Sequence, residues 1–344
     1  MNDFYNDKIK EYADKIKKYI GGEEFKKQFK QANGKYLYEN YYDYFVKHTV
    51  GGKCLRGYLV FLFERLFGKA NDDKTLKTAI ALEVFESAVL MHDDIIDRGR
   101  IRRGMPSAYV ALGNDHSGEA RAVCLGDAGL IFSLYLLEEV DDEVRRFLTE
   151  IFLRTISGEI ADVDLSEKRE ICDNDVIAVF IEKTATYTLL APCMCGAMLS
   201  GKLTDEISAV LHEFAINAGI AFQIKDDLLG IFGEQKIIGK NNDSDIAEGK
   251  KSLLVSHFDK VADDNQKQLF YSVYGKGTPT ENDAQLVRTL LTETGSRQYA
   301  EEQTTAYFST ARLAANSLFD IIKPNKAVKQ EFYDFIDFLE NRVK

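Results

Sequence analysis

Along most of this chain, apolar residues return every three or four positions rather than every second one. The stretch TLKTAIALEVFESAVLMHDDIID, residues 75–97, holds neither glycine nor proline. Its Leu76, Ile80, Val84, Phe85, Ala88, Met91 and Ile95 fall along one side of a helix. DEISAVLHEFAINAGIAFQIKDDLLGIFG, residues 205–233, has the same period and runs out in glycines, which suit a helix stop. The same spacing predicts helices near 3–20, 36–48, 53–67, 119–138, 141–158, 173–190, 252–262, 281–294, 297–319 and 326–342. Turn residues cluster at VGGK, RGRIRRGMPS, ALGNDHSG, GKNNDSDIAEGKK and YGKGTPT. Only four prolines occur, and there is no repeat of fixed period, low-complexity linker or break in composition. The pattern predicts one all-α domain over residues 1–344.

Composition narrows the function classes. With 45% hydrophobic residues in 344, the chain can bury a real core and is not globally disordered. A formal net charge of −11 excludes a general nucleic-acid binder but leaves room for a local basic pocket. The five cysteines are odd in number and form no C-x-x-C, so a reduced, cytoplasmic protein is expected. The opening MNDFYNDKIKEYADKIKKYI is charged throughout, so no signal peptide is expected. The longest apolar runs are broken by charge before the ~20 residues a membrane helix needs, so no transmembrane segment is expected either.

Two short stretches then break the apolar pattern: HDDIID at 92–97 and QIKDDLLG at 223–230. Adjacent carboxylates repel each other, and a buried unpaired charge costs several kcal/mol or more. Such groups call for cations. On a helix Asp93 and Asp97 lie four apart and share a face, while Asp94 points elsewhere. Gln223 and Asp226 stand three apart, with Asp227 beside them. Carboxylates one turn apart suit Mg²⁺, which prefers oxygen ligands, keeps several waters and is often completed by substrate phosphates. If the two helices face each other, two or three Mg²⁺ ions between them could grip a diphosphate. Short cationic clusters lie at other turns and helix ends: Lys53 and Arg56 in GGKCLRG, Arg102 and Arg103 in RIRRG, Lys183 and Thr184 in EKTATY, and Lys240, Lys250 and Lys251 in GKNNDSDIAEGKK. Singly each reads as ordinary surface charge. Together with two aspartate pairs they suggest a pocket for two phosphorylated groups. No Ser–His–Asp set stands out, and His92 reads as a structural helix histidine.

In this order the motifs resemble those of the trans-isoprenyl diphosphate synthases, the polyprenyl synthetase family of geranylgeranyl and farnesyl diphosphate synthase-like enzymes. GGKCLRG is similar to the family's G-G-K-x-x-R, DDIID to its first aspartate-rich motif, GEIAD to G-Q-x-x-D, KTA to its K-T, FQIKDDLLG to its second aspartate-rich motif, and SDIAEGKK to its closing lysine segment. The resemblance covers about residues 50–255. It implies a single large helical bundle of the isoprenoid synthase type with a central active-site cavity. It implies a homodimer, and a Mg²⁺-dependent condensation of isopentenyl diphosphate with an allylic diphosphate.

Roles follow from the same resemblance. Asp93, Asp97 and Asp226 would ligate three Mg²⁺ ions. Arg102, Lys183, Lys240 and Lys250 would hold the allylic diphosphate, supported by Thr184 and Gln223. Lys53, Arg56 and Arg103 would hold isopentenyl diphosphate. The growing chain would run back along the first motif's helix. Val89 and Ala88, where short-chain members place aromatics, leave it open, and Phe85 forms its floor. That depth implies geranylgeranyl diphosphate, with a farnesyl or longer polyprenyl product as the alternative. The chain departs from the family pattern at Gly230, where many members have a third aspartate, at Glu86, where they have His or Gln, and at Glu159. A class I terpene cyclase or a head-to-head synthase would lack G-G-K-x-x-R, and a non-catalytic subunit would usually lack an aspartate motif.

Overall fold

The computed structural model describes residues 8–70, 72–233 and 244–342, which are almost wholly helical. The helices are α1 (Lys10–Ile20), α2 (Glu23–Val50), α3 (Leu55–Leu66), α4 (Asp73–Ile96), α5 (Ala108–Ala111), α6 (His116–Tyr135), α7 (Asp142–Glu167) and α8 (Asp173–Val179). A π-helical segment (Phe180–Leu190) leads into α9 (Ala191–Leu199) and α10 (Asp205–Phe232). Then come α11 (Ser244–Glu248), α12 (Leu253–Val261), α13 (Asp264–Val273), α14 (Glu281–Glu293), α15 (Ser296–Ile322) and α16 (Lys326–Glu340). The strands among the described residues are a two-residue antiparallel pair, β1 (Ile101–Arg102) and β2 (Met105–Pro106).

Several boundaries differ from the expected ones, each for a physical reason. The helix expected over 36–48 is preceded by another that starts at Glu23, and Gly34, at φ 72° and ψ 172°, is non-helical and breaks α2 into two helical stretches. Gly158 does not end α7: a side chain there would collide with the backbone of Glu182 and Lys183, so it marks a close approach. The helix expected over 173–190 continues to Leu199, and the turns before Pro192 widen to the π form. Proline lacks an N–H and clashes with the carbonyl four residues back, which a wider turn accommodates. Helix α13 was not foreseen, although Asp263 and Gln266 form a capping box at its start.

The described residues of 1–152, 191–208 and 319–338 form one compact unit, and those of 153–190, 209–318 and 339–344 a second. In the first, α4 packs against α3 and α6, and α3 against α9. Small residues set these contacts: a side chain at Gly129 would meet Ala88 at 2.9 Å, and one at Gly126 would strike the His92 ring. Phe25, Phe29, Phe45 and Phe132 fill the space around α2 and α6. Asp72 and Thr75 close a capping box that fixes the start of α4. In the second unit, Phe258, Phe270 and Tyr274 stack beside Ile224, Ile231, Val287 and Leu291. Residues 173–199 and 205–232 are long and apolar enough to cross a membrane by composition, but 67% and 56% of their most apolar windows are buried within the protein, as in core helices.

Candidate active site

Helix α4 ends at the first aspartate motif. Asp97 caps it, and Arg98 takes a left-handed φ of 57° while the Gly99 N–H returns to the Asp94 carbonyl at 2.9 Å. This is a helix stop normally given to glycine. An arginine there costs roughly 1 kcal/mol of backbone strain. The chain then turns through β1 and β2, with Arg103 and Gly104 both at positive φ (54° and 74°), the geometry of a tight hairpin turn. The hairpin sends neighbouring arginines to different partners. Arg102 donates from Nε to Asp94 Oδ1 at 2.8 Å and from Nη2 to Asp93 Oδ2 at 2.9 Å. Burial disfavours its charge, but Asp93, Asp94 and Asp97 outweigh burial and hold its pKa above the ordinary arginine value. Asp94 is fully buried, and Asp93 and Asp97 are partly so.

Arg103 reaches the other way. Its Nη1 donates to the His48 carbonyl at 2.8 Å, and its Nη2 lies 3.3 Å from Glu86 Oε1. The same oxygen is 2.6 Å from Arg56 Nη1. A side chain at Gly52 would sit 2.9 Å from the Arg103 guanidinium, so the second glycine of GGKCLRG makes room for that arginine. Behind them Glu83, fully buried, accepts the Gly57 N–H at 2.8 Å. Burial first and the Glu86 charge second push the Glu83 carboxyl up to about 8. Burial would also raise Glu86, but Arg56 and Arg103 outweigh it and hold that carboxyl below its usual value. Lys53 is exposed.

In the second unit the π-helical segment presents Lys183 and Thr184. Lys183 Nζ lies 2.9 Å from Glu159 and 2.7 Å from Asp162, both on α7. Thr184 Oγ1 donates to Gln223 Oε1 at 2.9 Å, and Gln223 Nε2 donates to Asp227 Oδ1 at 2.9 Å. Lys250 Nζ donates to the same Asp227 oxygen at 2.8 Å. Asp227 is 2% exposed, and burial, against the pull of Lys250, raises its carboxyl to about 6. Burial opposes the Lys250 charge too, yet Asp227, Asp245 and Asp226 more than restore it. Asp226 is partly exposed and accepts from Arg342 Nη2 at 2.8 Å, with Arg342 lying 4.4 Å over the Phe222 ring. Gly230 leaves no gap: a side chain there would overlap the Asp245 carboxylate, which fills the space.

Among the described residues, no group of three or more His, Cys, Asp and Glu side chains is gathered closely enough to enclose an ion by itself. The donor set still fits Mg²⁺. Partly exposed carboxylates suit a hard cation that draws its remaining ligands from water and phosphate.

The structure thus brings Asp93, Asp97 and Arg102 together, Arg56 and Arg103 together, Thr184, Gln223 and Lys250 around Asp227, and Lys183 to α7. Lys240 lies outside the described residues. Phe85 is fully buried and stacks on Phe152 with centroids 3.7 Å apart, Ala88 packs against Gly129, and Val89 is half-buried. Sequence reasoning missed Asp94 and Asp227 as holders of cations, Asp245 as the filler beside Gly230, and Arg342. The first two carried a signal, since the second of two adjacent helix residues must point away from the first. The last two are tertiary contacts with none.

Comparison with known proteins adds three findings. The family model described as polyprenyl synthetase matches residues 35–291. The chain is similar to geranylgeranyl diphosphate synthases of Saccharolobus solfataricus, at 30% identity over 92% of this chain and 94% of that one, and of Methanosarcina mazei, at 29% over 83% and 85%. Its fold matches a crystal structure of polyprenyl synthase from Caulobacter crescentus CB15 complexed with calcium and isoprenyl diphosphate, with a TM-score of 0.83, 23% identity and 98% of each chain covered.

Proposed function

From the premise that this chain belongs to the polyprenyl synthetase family and is a trans-prenyltransferase, we propose that it condenses isopentenyl diphosphate with allylic diphosphates and stops at four isoprene units, geranylgeranyl diphosphate. The observation that carries this reading is the pairing of each buried second aspartate with a cation. Asp94 holds Arg102 and Asp227 holds Lys250, while Asp93 and Asp226 remain partly exposed. The activity depends on a divalent cation, and we assign three Mg²⁺ ions to Asp93, Asp97 and Asp226. Bound Mg²⁺ supplies Lewis-acid stabilisation of charge on diphosphate oxygens.

The chain's own residues do the rest. Arg102, Lys183, Lys240 and Lys250 hold the allylic diphosphate and stabilise the charge that builds as its carbon–oxygen bond breaks. Lys183 exchanges Glu159 and Asp162 for phosphate oxygens. Thr184 and Gln223 keep Lys250 and Asp227 in register. Lys53, Arg56 and Arg103 hold isopentenyl diphosphate, whose double bond attacks the allylic cation in a site that excludes water. A proton then passes to the departed diphosphate and a new double bond forms. Phe85, stacked on Phe152, forms the floor that limits growth, beneath the small Ala88 and Val89.

We further assign the chain to one prenyltransferase domain that works as a homodimer in the cytoplasm. Leu153, Ile156, Ile160 and Val163 form an exposed apolar stripe along α7, with Leu153 63% and Ile160 60% exposed, as a subunit interface would. Light scattering that returned a monomer at micromolar concentration would remove this part. The central test is incubation with isopentenyl diphosphate, Mg²⁺ and each of dimethylallyl, geranyl and farnesyl diphosphate. A product of four units is expected. Failure to elongate any of the three overturns the reading.

A further inference from the structure

A buried guanidinium, that of Arg56, and a partly buried one, that of Arg103, stand together at the site assigned to isopentenyl diphosphate, and one carboxylate oxygen already bridges them. Glu86 Oε1 lies 2.6 Å from Arg56 and 3.3 Å from Arg103. A diphosphate oxygen is recognised by the same N–H edges that a carboxylate oxygen occupies. Arg103 does not need Glu86 to stay where it is. The hairpin turn at Arg103–Gly104, the side-chain-free space over Gly52 and the His48 carbonyl already fix it. Glu83 adds no second negative charge while it keeps its proton, and its Oε1 is occupied by the Gly57 N–H. The cluster therefore offers an incoming dianion two positive charges less one.

We propose that Glu86 is an internal competitor for this site. Its carboxylate takes the arginine edges that the diphosphate of isopentenyl diphosphate must use, and it thereby sets the affinity of the site. Glu86 acts through Arg56 and Arg103 by occupying their N–H edges, and the inference rests on the assignment of those arginines to isopentenyl diphosphate. A carboxylate needed only to hold two arginines in place predicts the opposite: loss of affinity when its charge is removed.

Calorimetric titration of isopentenyl diphosphate into the full chain, in metal-free buffer, separates these. Glu86→Gln keeps the size of the side chain and removes its charge. It is expected to bind about tenfold more tightly than wild type. In steady state it lowers the KM for isopentenyl diphosphate and leaves the allylic KM in place. Glu86→Asp keeps the charge but is too short to span both arginines, so it falls between the two. It carries the comparison if thermal melting shows that the Gln variant does not fold. Arg103→Gln is the control on the underlying assignment and is expected to weaken binding. Binding by Glu86→Gln no tighter than wild type, while Arg103→Gln binds worse, overturns the competitor role alone. Unchanged binding in Arg103→Gln overturns the site assignment and the competitor role with it.

Discussion

The ends of α4 and α10 solve one problem in two ways. Each carries two adjacent aspartates, and each buries the second of them. At α4 the buried Asp94 and the partly exposed Asp93 share a single cation, Arg102, which stands only eight residues on from Asp94. At α10 the two carboxylates have separate partners: Asp227 holds Lys250, 23 residues on, and Asp226 holds Arg342, 116 residues on. The first arrangement is local and strained, with left-handed backbone at Arg98 and Arg103. The second is assembled from distant segments. The difference teaches that an aspartate pair is two roles: the inner carboxylate fixes a cation, and the outer one stays partly exposed, where the proposed function places the ligand.

The largest expected effect tests the outer positions. Asp93→Ala and Asp226→Ala should each lower turnover roughly a thousandfold or more while the far-ultraviolet dichroism stays helical. Wild-type-like turnover in either would break the parallel between the two ends. The inner positions come next, and here the ends should differ. Asp94→Asn leaves Arg102 buried with one carboxylate fewer and is expected to cost about 3 kcal/mol in urea unfolding. Asp227→Asn should cost less, because Asp245 and Asp226 also support the charge of Lys250. Equal losses would mean that the local and distant designs hold their cations alike.

A third effect is read in pH. Glu83 keeps a proton in the folded chain up to about 8, whereas the unfolded chain releases it in the ordinary carboxylate range. Between those values the folded state binds more protons than the unfolded one, so stability falls as pH rises, with a slope approaching about 1.4 kcal/mol per pH unit. The groups facing Glu83 are Glu86, Arg56, Arg103 and the Gly57 N–H. Glu83→Gln should flatten this fall in thermal melts between pH 5 and 8, and an unchanged slope would assign it elsewhere. The smallest effect concerns Arg342. Arg342→Gln should raise Mn²⁺ affinity a few-fold in spin-resonance titrations, by freeing Asp226 of a competing cation. No change would place Arg342 outside the ligand's reach.

Much of this was legible beforehand. The three-to-four periodicity of 75–97 and 205–233 gave helices that the structure contains, and the ordered motifs pointed to the family to which the chain belongs. What stayed hidden depended on neighbours distant in sequence. The helix expected to end near 158 runs on to Glu167, and nothing local to Gly158 says that Lys183 presses against it. The widened turns at 180–190 answer a proline further along rather than their own residues. Glu86 stood out as a departure from the family's His or Gln, but spacing alone could not show that one of its oxygens bridges Arg56 and Arg103.

Gly230 carries a warning for anyone who would repair this enzyme by consensus. The missing aspartate looks like a lesion to be filled, and a library built on family frequencies would put Asp back. Yet Asp245 already stands in that volume, delivered by a separate helix. Gly230→Asp would press a second carboxylate against Asp245, which would have to swing aside, so the change that improves the motif on paper carries a cost in this scaffold.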